Sequence, residues 1–186
     1  MTTARRLHYS YEQYLMALED SDLKLEYCHG EIYAMAGGTP QHAALAVATA
    51  ALLRDQLKGR CIVYSSDLKV RIENTDLTTY PDATVVCGGL QPAKIDANAA
   101  TNPSILVEVT SDSTEDYDRG EKLRHYKQLG TLRAVLFISH RQKQVTLVWR
   151  TQAGWDEKSF VAGERVTLDD PKLELSVDEL YAGIDL

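Results

Sequence analysis

The stretch from Tyr80 to Tyr126 decides the fold: it reads YPDATVVC at 80–87, ILVEVT at 105–110 and TEDYDRGEKLRHY at 114–126. The first two segments are short runs rich in apolar and β-branched residues, which is typical of buried strands. The third mixes charged and apolar residues with helical spacing and predicts a helix. A carboxylate accompanies each predicted strand, because Asp82 opens the first apolar run and Glu108 interrupts the second.

These carboxylates predict a metal site. A carboxylate inside a buried strand carries a desolvation cost that few folds accept without a cation or hydrogen bonds nearby. Two of them, Asp82 and Glu108, lie 26 positions apart and suggest a shared site for a divalent metal. Lys122 follows 14 positions after Glu108 and could supply the positive charge that such a site uses on an oxyanion.

A family resemblance extends this interpretation. Pro81-Asp82 followed by Val107-Glu108-Val109 resembles the signature of the PD-(D/E)XK nuclease superfamily. Within that superfamily, the wider pattern resembles the Uma-type restriction endonucleases of bacteria. The matching blocks are Leu25–Tyr33, Ala36–His42, Tyr80–Asp82, Val107–Ser111 and Thr114–Tyr126. Their order and spacing together carry the resemblance.

The resemblance implies an α/β protein with a restriction-endonuclease-like fold, a mixed β-sheet flanked by helices with an added antiparallel meander. It also implies a metal-dependent endonuclease that hydrolyses phosphodiester bonds of DNA with Mg²⁺ or Mn²⁺. Asp82 and Glu108 would bind the metal through oxygens, with a backbone carbonyl near Val109 completing the shell. Lys122 would orient the attacking water or stabilise the developing charge on the phosphate.

One position departs from the superfamily pattern. The pattern places a lysine two residues after the acidic residue of the second strand, and here that position is Thr110. The Uma-type branch resembles nucleases in which this lysine lies on the following helix instead of the strand. By that resemblance, Lys122 takes the place of the missing lysine. Glu121 is a weaker candidate for the same role.

Three further residues have both a functional and a structural interpretation. The resemblance implies Glu31 as a third carboxylate near the metal, and the alternative is a charged residue at an exposed strand start. His42 contacts phosphate or water in the site, or belongs only to the start of a helix. Asp118 and Lys122, at i and i+4 of the predicted helix, are part of the site or an ordinary helical salt bridge.

Length and composition favour one domain over residues 1–186. No apolar run approaches the roughly 20 residues needed to span a bilayer, and the N-terminus has no apolar signal-peptide core. We therefore expect a cytoplasmic protein with no membrane partner. The net charge of −7 counts against a broad basic surface for nucleic acid, but it leaves room for a local strip of Lys and Arg.

The cysteine pattern predicts free thiols. Cys28, Cys61 and Cys87 are odd in number and have no Cys-x-x-Cys spacing, which argues against a disulfide framework or a structural zinc site. Each lies in or beside an apolar run. We therefore expect three buried free cysteines.

The remaining pattern predicts a helix from Tyr11 to near Glu19, a hairpin around His29-Gly30 and a helix from Pro40 to about Lys58. The Pro40 helix is apolar almost all round, so it is either buried or packed against a second subunit, and its alanines favour a homodimer.

Further along, residues 68–72 predict a strand with a buried face and a basic face formed by Lys69 and Arg71. Residues 88–102 predict a loop. A helix is expected over Thr114–Leu129, with Ser113 as its N-cap. Strands separated by turns are expected from Arg133 to Leu168.

The competing hypothesis is not enzymatic. The same fold could serve as a catalytically degenerate nucleic-acid-binding or interaction module, an interpretation that Thr110 and the acidic charge balance both favour. A small-molecule hydrolase has little support, because the chain has no Gly-x-Ser-x-Gly elbow and no phosphate-binding glycine-rich motif.

Overall fold

Fourteen strands and five helices are defined in the computed structural model, which describes residues 7–35, 37–111 and 114–186. The strands are β1 (Leu25–Cys28), β2 (Glu31–Ala34), β3 (Cys61–Ser65), β4 (Lys69–Ile72), β5 (Leu77–Thr79), β6 (Ala83–Cys87), β7 (Pro92–Ala93), β8 (Asp96–Ala100), β9 (Ile105–Thr110), β10 (Ala134–Ser139), β11 (Gln144–Thr151), β12 (Gly154–Val161), β13 (Arg165–Asp169) and β14 (Lys172–Ser176). The helices are α1 (Tyr11–Glu19), α2 (Pro40–Leu57), α3 (Glu115–Tyr117), α4 (Leu123–Tyr126) and α5 (Val177–Leu180), with a 3₁₀ turn at Glu73–Thr75 and a π-helical turn at Asp118–Lys122.

The strands form two mixed sheets and a ribbon. The first sheet has the order β2-β1-β5-β4-β8-β7, and the second has the order β12-β11-β10-β9-β6-β3. Within the second sheet β9 and β10 are parallel, whereas β10, β11 and β12 form an antiparallel meander. The ribbon pairs β13 with β14. The predicted mixed sheet with an added meander is therefore present, although the strands divide between two sheets.

Strand β9 lies at the centre of the core and is buried along its whole length. Because side chains alternate between the faces of a strand, Ile105, Val107 and Val109 belong to one apolar cluster with α2, while Leu106 belongs to a second cluster with Leu123 of α4. Glu108 shares the face of Leu106. Because side-chain directions alternate along β9, this carboxylate lies on the side of the helical segment that follows the strand.

Helix α2 begins where the sequence predicts. The Thr39 hydroxyl accepts a hydrogen bond from the His42 backbone N–H at 3.2 Å, and Pro40 occupies the first turn. Its buried residues recur at every fourth position, and they are Leu45, Thr49, Leu53 and Leu57. The opposite side is exposed, with Val47 70% accessible. The helix is therefore buried on one side only, rather than all round.

The helical segment after β9 is broken into α3, the π-helical turn and α4, which together run from Glu115 to Tyr126. The predicted N-cap, Ser113, lies outside the described residues. The π-helical turn carries both Asp118 and Lys122, and both side chains are buried. Such single-turn π segments occur frequently at functional sites.

The prediction that β4 has a basic face is wrong. Lys69 and Arg71 are each only 8% exposed, because β4 is an interior strand of the first sheet. The Lys69 ammonium pairs with Asp96 at 2.7 Å, and the Arg71 guanidinium pairs with Asp76 and lies 4.0 Å from the centre of the Tyr11 ring. Both cations are therefore occupied within the fold and do not form a surface for phosphate.

The loop predicted over residues 88–102 is also wrong in part. It contains β7 and β8, and β8 pairs in parallel with β4. The carboxylate of Asp96, the first residue of β8, accepts a hydrogen bond from the Tyr11 hydroxyl at 2.9 Å and also pairs with Lys69. The strand was not evident from the sequence because its Ala and Asn residues have low strand propensity. Pairing with a distant strand decides its conformation.

The prediction of three free cysteines is wrong for two of them. Cys61 and Cys87 lie directly opposite each other on the antiparallel strands β3 and β6, with a Cα–Cα distance of 4.2 Å, and they form a disulfide. Cys28 is a free thiol. Sequence spacing conceals this pairing, because the sheet register rather than a local motif brings the two sulfur atoms together.

Removing this disulfide is expected to lower the melting temperature. A cross-link between residues 26 positions apart contributes about 3.5 kcal/mol by restricting the unfolded chain, which corresponds to roughly 7–14 °C for a domain of this size. Calorimetry of Cys61→Ala/Cys87→Ala in the presence of EDTA should show the decrease, whereas the control Cys28→Ala under the same metal-free conditions should melt close to the wild type. Equal melting temperatures for the wild type and the double variant would contradict the pairing.

In the part of the chain that the structure describes, no helix combines the length and the apolar character needed to cross a membrane.

Candidate active site

A cleft of about 490 Å³ lies where β6 begins and β9 ends. In the antiparallel pairing of these strands Ala83 is opposite Val107. Continuing that register by one residue places Asp82 opposite Glu108. The residues that line the cleft include four carboxylates, one lysine and two histidines, namely Glu26, Asp82, Glu108, Asp118, Lys122, His42 and His140. The register of two strands therefore brings together the carboxylates that lie 26 positions apart in the sequence.

Asp82 is fixed by a backbone hydrogen bond. Its Oδ2 accepts from the Val109 N–H at 2.7 Å and lies 3.4 Å from Nε2 of His42. Its side chain is 15% exposed. Burial raises the pKa of this carboxyl group, although the Val109 hydrogen bond and the nearby His42 and Lys122 act in the opposite direction. A further positive charge at this position would therefore stabilise the carboxylate.

Glu108 is more deeply buried, with 4% of its surface exposed. The Tyr126 hydroxyl donates a hydrogen bond to its Oε1, and the Lys122 ammonium lies 2.9 Å from the same oxygen. Burial raises the pKa of Glu108 to about 8, against the opposing attraction of Lys122. One lysine therefore does not compensate in full for the desolvation of this carboxylate.

Lys122 is surrounded by carboxylates. Its Nζ lies 2.9 Å from Glu108, 3.4 Å from Asp118 and 4.0 Å from Glu26. Burial on its own would lower the pKa of the ammonium group, but the attraction of these carboxylates outweighs that effect and raises the pKa well above its ordinary value. The pair with Asp118 is thus part of a buried cluster, in contrast to an ordinary helical salt bridge on a solvated surface.

Glu26 is a site residue that the sequence did not single out. It lies on β1, and its Oε1 accepts from the Thr79 hydroxyl and from the Tyr80 N–H, the latter at 3.4 Å. The signal available in the sequence is the one that identified Glu108, a carboxylate between apolar neighbours in a predicted strand. Its position in the first sheet means that the site is built from both sheets.

Glu31 lies elsewhere on the same hairpin. It starts β2 opposite Cys28, and it accepts a hydrogen bond from the Tyr33 hydroxyl. Glu26 is opposite Tyr33, which places it two residues farther from the turn. The residues that line the cleft include Glu26 and not Glu31 among the described part of the chain. Of these two carboxylates, the structure brings Glu26 next to Lys122.

His42 reaches the cleft because a glycine precedes the helix. A Cβ atom at Gly38 would lie only 2.8 Å from Nδ1 of His42, so a larger residue there would displace the ring. The His42 side chain is 24% exposed, and its Nε2 lies 3.4 Å from Oδ2 of Asp82. The residue therefore combines a place in the first turn of α2 with a contact to the candidate metal ligand.

Thr110, where the superfamily pattern places a lysine, does not supply a positive charge to Glu108, and Lys122 does. Thr110 shares the strand face of Glu108, and its hydroxyl donates to the Ile138 carbonyl at 3.4 Å. It lines a separate pocket of about 220 Å³ together with Arg119 and Arg141. The only ammonium within 4 Å of Glu108, among the described residues, is that of Lys122.

The donor atoms of this cleft fit a hard divalent cation. Asp82 and Glu108 offer carboxylate oxygens, and Val109 also lines the cleft. Mg²⁺ and Mn²⁺ prefer oxygen ligands of this kind. Burial raises the pKa of Asp82 and of Glu108, so a divalent cation bound between them would stabilise their ionised forms.

Known proteins resemble this chain over most of its length. The uncharacterized protein slr1290 of Synechocystis sp. is 36% identical over 175 residues, which cover 93% of this chain and 91% of that protein. A second Synechocystis protein, the uncharacterized protein sll1609, is 29% identical over 127 residues, which cover 68% of this chain and 72% of that protein.

A solved structure shows the same fold. The crystal structure of a "putative nuclease belonging to DUF820" from Anabaena variabilis superposes with a TM-score of 0.75 at 17% identity. The alignment covers 92% of this chain and 96% of the other. This similarity confirms the predicted restriction-endonuclease-like fold.

A family model identifies the chain itself. The model is described as "Uma2: Putative restriction endonuclease", and it matches residues 10–178. That range includes every residue of the cleft described above. Because this model matches most of its length, the chain belongs to the Uma2 family.

Proposed function

We propose that this protein is a metal-dependent endonuclease that hydrolyses phosphodiester bonds of DNA. The observation that carries the proposal is the arrangement of Asp82, Glu108 and Lys122 in one cleft, with the lysine ammonium 2.9 Å from the glutamate carboxylate. The family description and the name of the structural relative supply the reaction class.

The carboxylates would hold the metal. Asp82 and Glu108 are the proposed ligands, together with the backbone carbonyl of Val109, and the ion would be Mg²⁺ or Mn²⁺. A bound divalent ion lowers the pKa of a coordinated water and polarises the scissile phosphate. The hydrogen bonds from Val109 N–H to Asp82 and from Tyr126 to Glu108 hold both carboxylates in fixed orientations.

Lys122 would act on the phosphate. Its ammonium is held in the cleft by Asp118 at 3.4 Å and Glu26 at 4.0 Å, so it is oriented before substrate binds. A preorganised cation of this kind stabilises the negative charge that develops on phosphate oxygens. Glu26 is a further carboxylate of this cluster, whereas Glu31, which the family resemblance suggested as a third carboxylate near the metal, does not line the cleft.

His42 would contact the substrate or its attacking water. Its ring lies 3.4 Å from Asp82 and is partly open to the cleft, so it can reach a group bound beside the carboxylate. Asp118 would act indirectly, because it positions the Lys122 ammonium without touching the substrate. We also propose the cytoplasmic location that the sequence predicts. A homodimer formed through the exposed side of α2 is proposed because of the alanines of that helix.

The test is a cleavage assay on three substrates: supercoiled plasmid, circular single-stranded DNA and RNA. With Mg²⁺ or Mn²⁺ we expect nicked and linear DNA products, and EDTA should abolish them. Cleavage of RNA alone would overturn the assignment of DNA as substrate, and cleavage that persists in EDTA would overturn the metal dependence. DNA that is bound in a gel-shift assay but never cut would favour the degenerate binding module.

A further inference from the structure

A second cluster of potential metal ligands lies at the tip of the β1–β2 hairpin. Cys28 ends β1, His29 occupies the turn, and His125 belongs to α4. One ligand atom from each side chain can be chosen such that all three lie within 4.8 Å of one another. The cluster brings together a thiol and two imidazoles, whereas the candidate active site is built from carboxylates.

The geometry of the hairpin turn explains why the adjacent residues Cys28 and His29 both lie near His125. His29 and Gly30 have φ angles of 48° and 83°, the left-handed conformation of a two-residue hairpin turn. The His29 N–H donates to the Asp76 carbonyl at 3.1 Å, which fixes the turn against the first sheet. The His29 ring then lies 5.6 Å from the ring of His125, centre to centre.

His125 has an unsatisfied ring nitrogen. The residue is 7% exposed, and its Nδ1 is buried without a hydrogen-bond partner among the described residues. A buried polar atom left without a partner is destabilising. Most such atoms in folded proteins are satisfied by protein, water or an ion, so an ion bound to His125 through this nitrogen would relieve an unsatisfied buried atom.

We propose that Cys28, His29 and His125 bind a transition metal ion of the zinc type, separate from the ion of the candidate active site. Thiolate and imidazole are the ligands that zinc prefers, whereas Mg²⁺ prefers oxygen. Tetrahedral zinc, with bonds of about 2.0–2.3 Å, separates its donor atoms by about 3.3–3.6 Å. His29 is exposed, so rotation of its side chain can close the cluster around the ion, with water in the open position.

The electrostatic surroundings favour a cation at this place. The carboxylate of Glu121, one helical turn before His125, acts on both Cys28 and His125, while the Arg124 guanidinium acts on His125 with the opposite sign. Glu26 and Glu31 also act on Cys28. Negative potential of this kind attracts a metal ion and stabilises it once bound.

Metal binding here would brace the candidate active site. Cys28 lies two residues after Glu26, and His125 lies three residues after Lys122. An ion shared by the hairpin and α4 would therefore tie the hairpin that carries Glu26 to the helix that directly follows Lys122. This role rests on the proposed function, but binding of the ion can be measured without any cleavage.

The experiment is a Co²⁺ titration of the full-length, chelator-treated protein, followed by absorption spectroscopy. We expect a thiolate-to-cobalt charge-transfer band that saturates at one ion per chain and disappears when Zn²⁺ is added. Cys28→Ser should abolish the band. His29→Asn should weaken Co²⁺ binding at least about 10-fold, because asparagine retains the left-handed turn but lacks the imidazole.

Two control variants separate this site from other ligands. Asp82→Asn should keep the band, because it alters only the carboxylate site, and Cys61→Ala/Cys87→Ala should keep it because those sulfur atoms are paired with each other. A folded wild type without a charge-transfer band, or a band that survives in Cys28→Ser, would overturn the proposal. In that case the three side chains only pack together beside the apolar cluster of Leu123 and Tyr126.

Discussion

Asp82→Asn is expected to reduce metal-dependent DNA cleavage at least about 100-fold, because changes even to residues behind a metal ligand cost about 10–100-fold. The substitution removes the charge of a carboxylate proposed to bind the ion. Asparagine keeps an oxygen that can accept the Val109 N–H, so the backbone contact at 2.7 Å is preserved. The fold should therefore remain intact, and the loss should appear in metal binding and cleavage together.

The measurements are plasmid cleavage, calorimetric titration with Mn²⁺ and thermal melting. Asp67→Asn is the matched control, because its side chain is 82% exposed and pairs only with Lys24 at the surface among the ion pairs of the described residues. It makes the same change of charge and should leave cleavage unchanged. If folded Asp82→Asn cleaves DNA at the wild-type rate, Asp82 is not part of the active site.

Lys122→Gln is expected to impair both stability and activity. The variant leaves Glu108 buried without its cation, and breaking a buried ion pair in this way costs about 3–5 kcal/mol. Loss of a preorganised charge that acts on the phosphate reduces the rate by about 10²–10³-fold. Denaturant titration measures the first effect, and cleavage at a temperature where the variant is folded measures the second.

The position of the lysine can be tested by moving it. Thr110 is two residues after Glu108 on the same strand face, so adding Thr110→Lys to Lys122→Gln returns an ammonium to the neighbourhood of this carboxylate. We expect partial recovery of cleavage, since the new lysine approaches Glu108 from the strand instead of from the helix. Recovery would show that the two positions can supply the same charge.

Lys69→Gln separates catalysis from stability. Lys69 is also a buried lysine in an ion pair, with Asp96 at 2.7 Å, but it lies outside the cleft. The substitution should therefore destabilise the protein to a similar extent while the folded fraction keeps its activity. The role proposed for Lys122 is wrong if both variants lose cleavage in proportion to their unfolding, or if folded Lys122→Gln is fully active.

Local patterns allowed much of the fold to be predicted. Ser10 and Gln13 form the capping box that starts α1, Thr39 and Pro40 start α2, and the apolar, β-branched run of β9 predicts a buried strand. The His29-Gly30 turn joins β1 and β2 as expected. These features depend on residues within a few positions of each other, because capping, turn conformation and strand alternation are local properties of the chain.

The candidate site was only partly visible in the sequence. Asp82 and Glu108 could be predicted because a carboxylate beside a buried apolar run is costly and therefore conspicuous. Glu26 has the same signal in a shorter and less apolar strand. Its part in the cluster depends on how close the first sheet comes to Lys122, at 4.0 Å from Glu26. A strand pattern does not contain that information.

The sequence by itself therefore determined the elements, their caps and the carboxylates that must find a cation. Tertiary structure decided which partners they find. Cys61 meets Cys87 through the β3–β6 register, and Lys69 meets Asp96 through the parallel pairing of β4 with β8. Each of these contacts joins residues at least 26 positions apart. Such pairings follow from sheet order and register, which the packing of the whole chain selects and no short segment encodes.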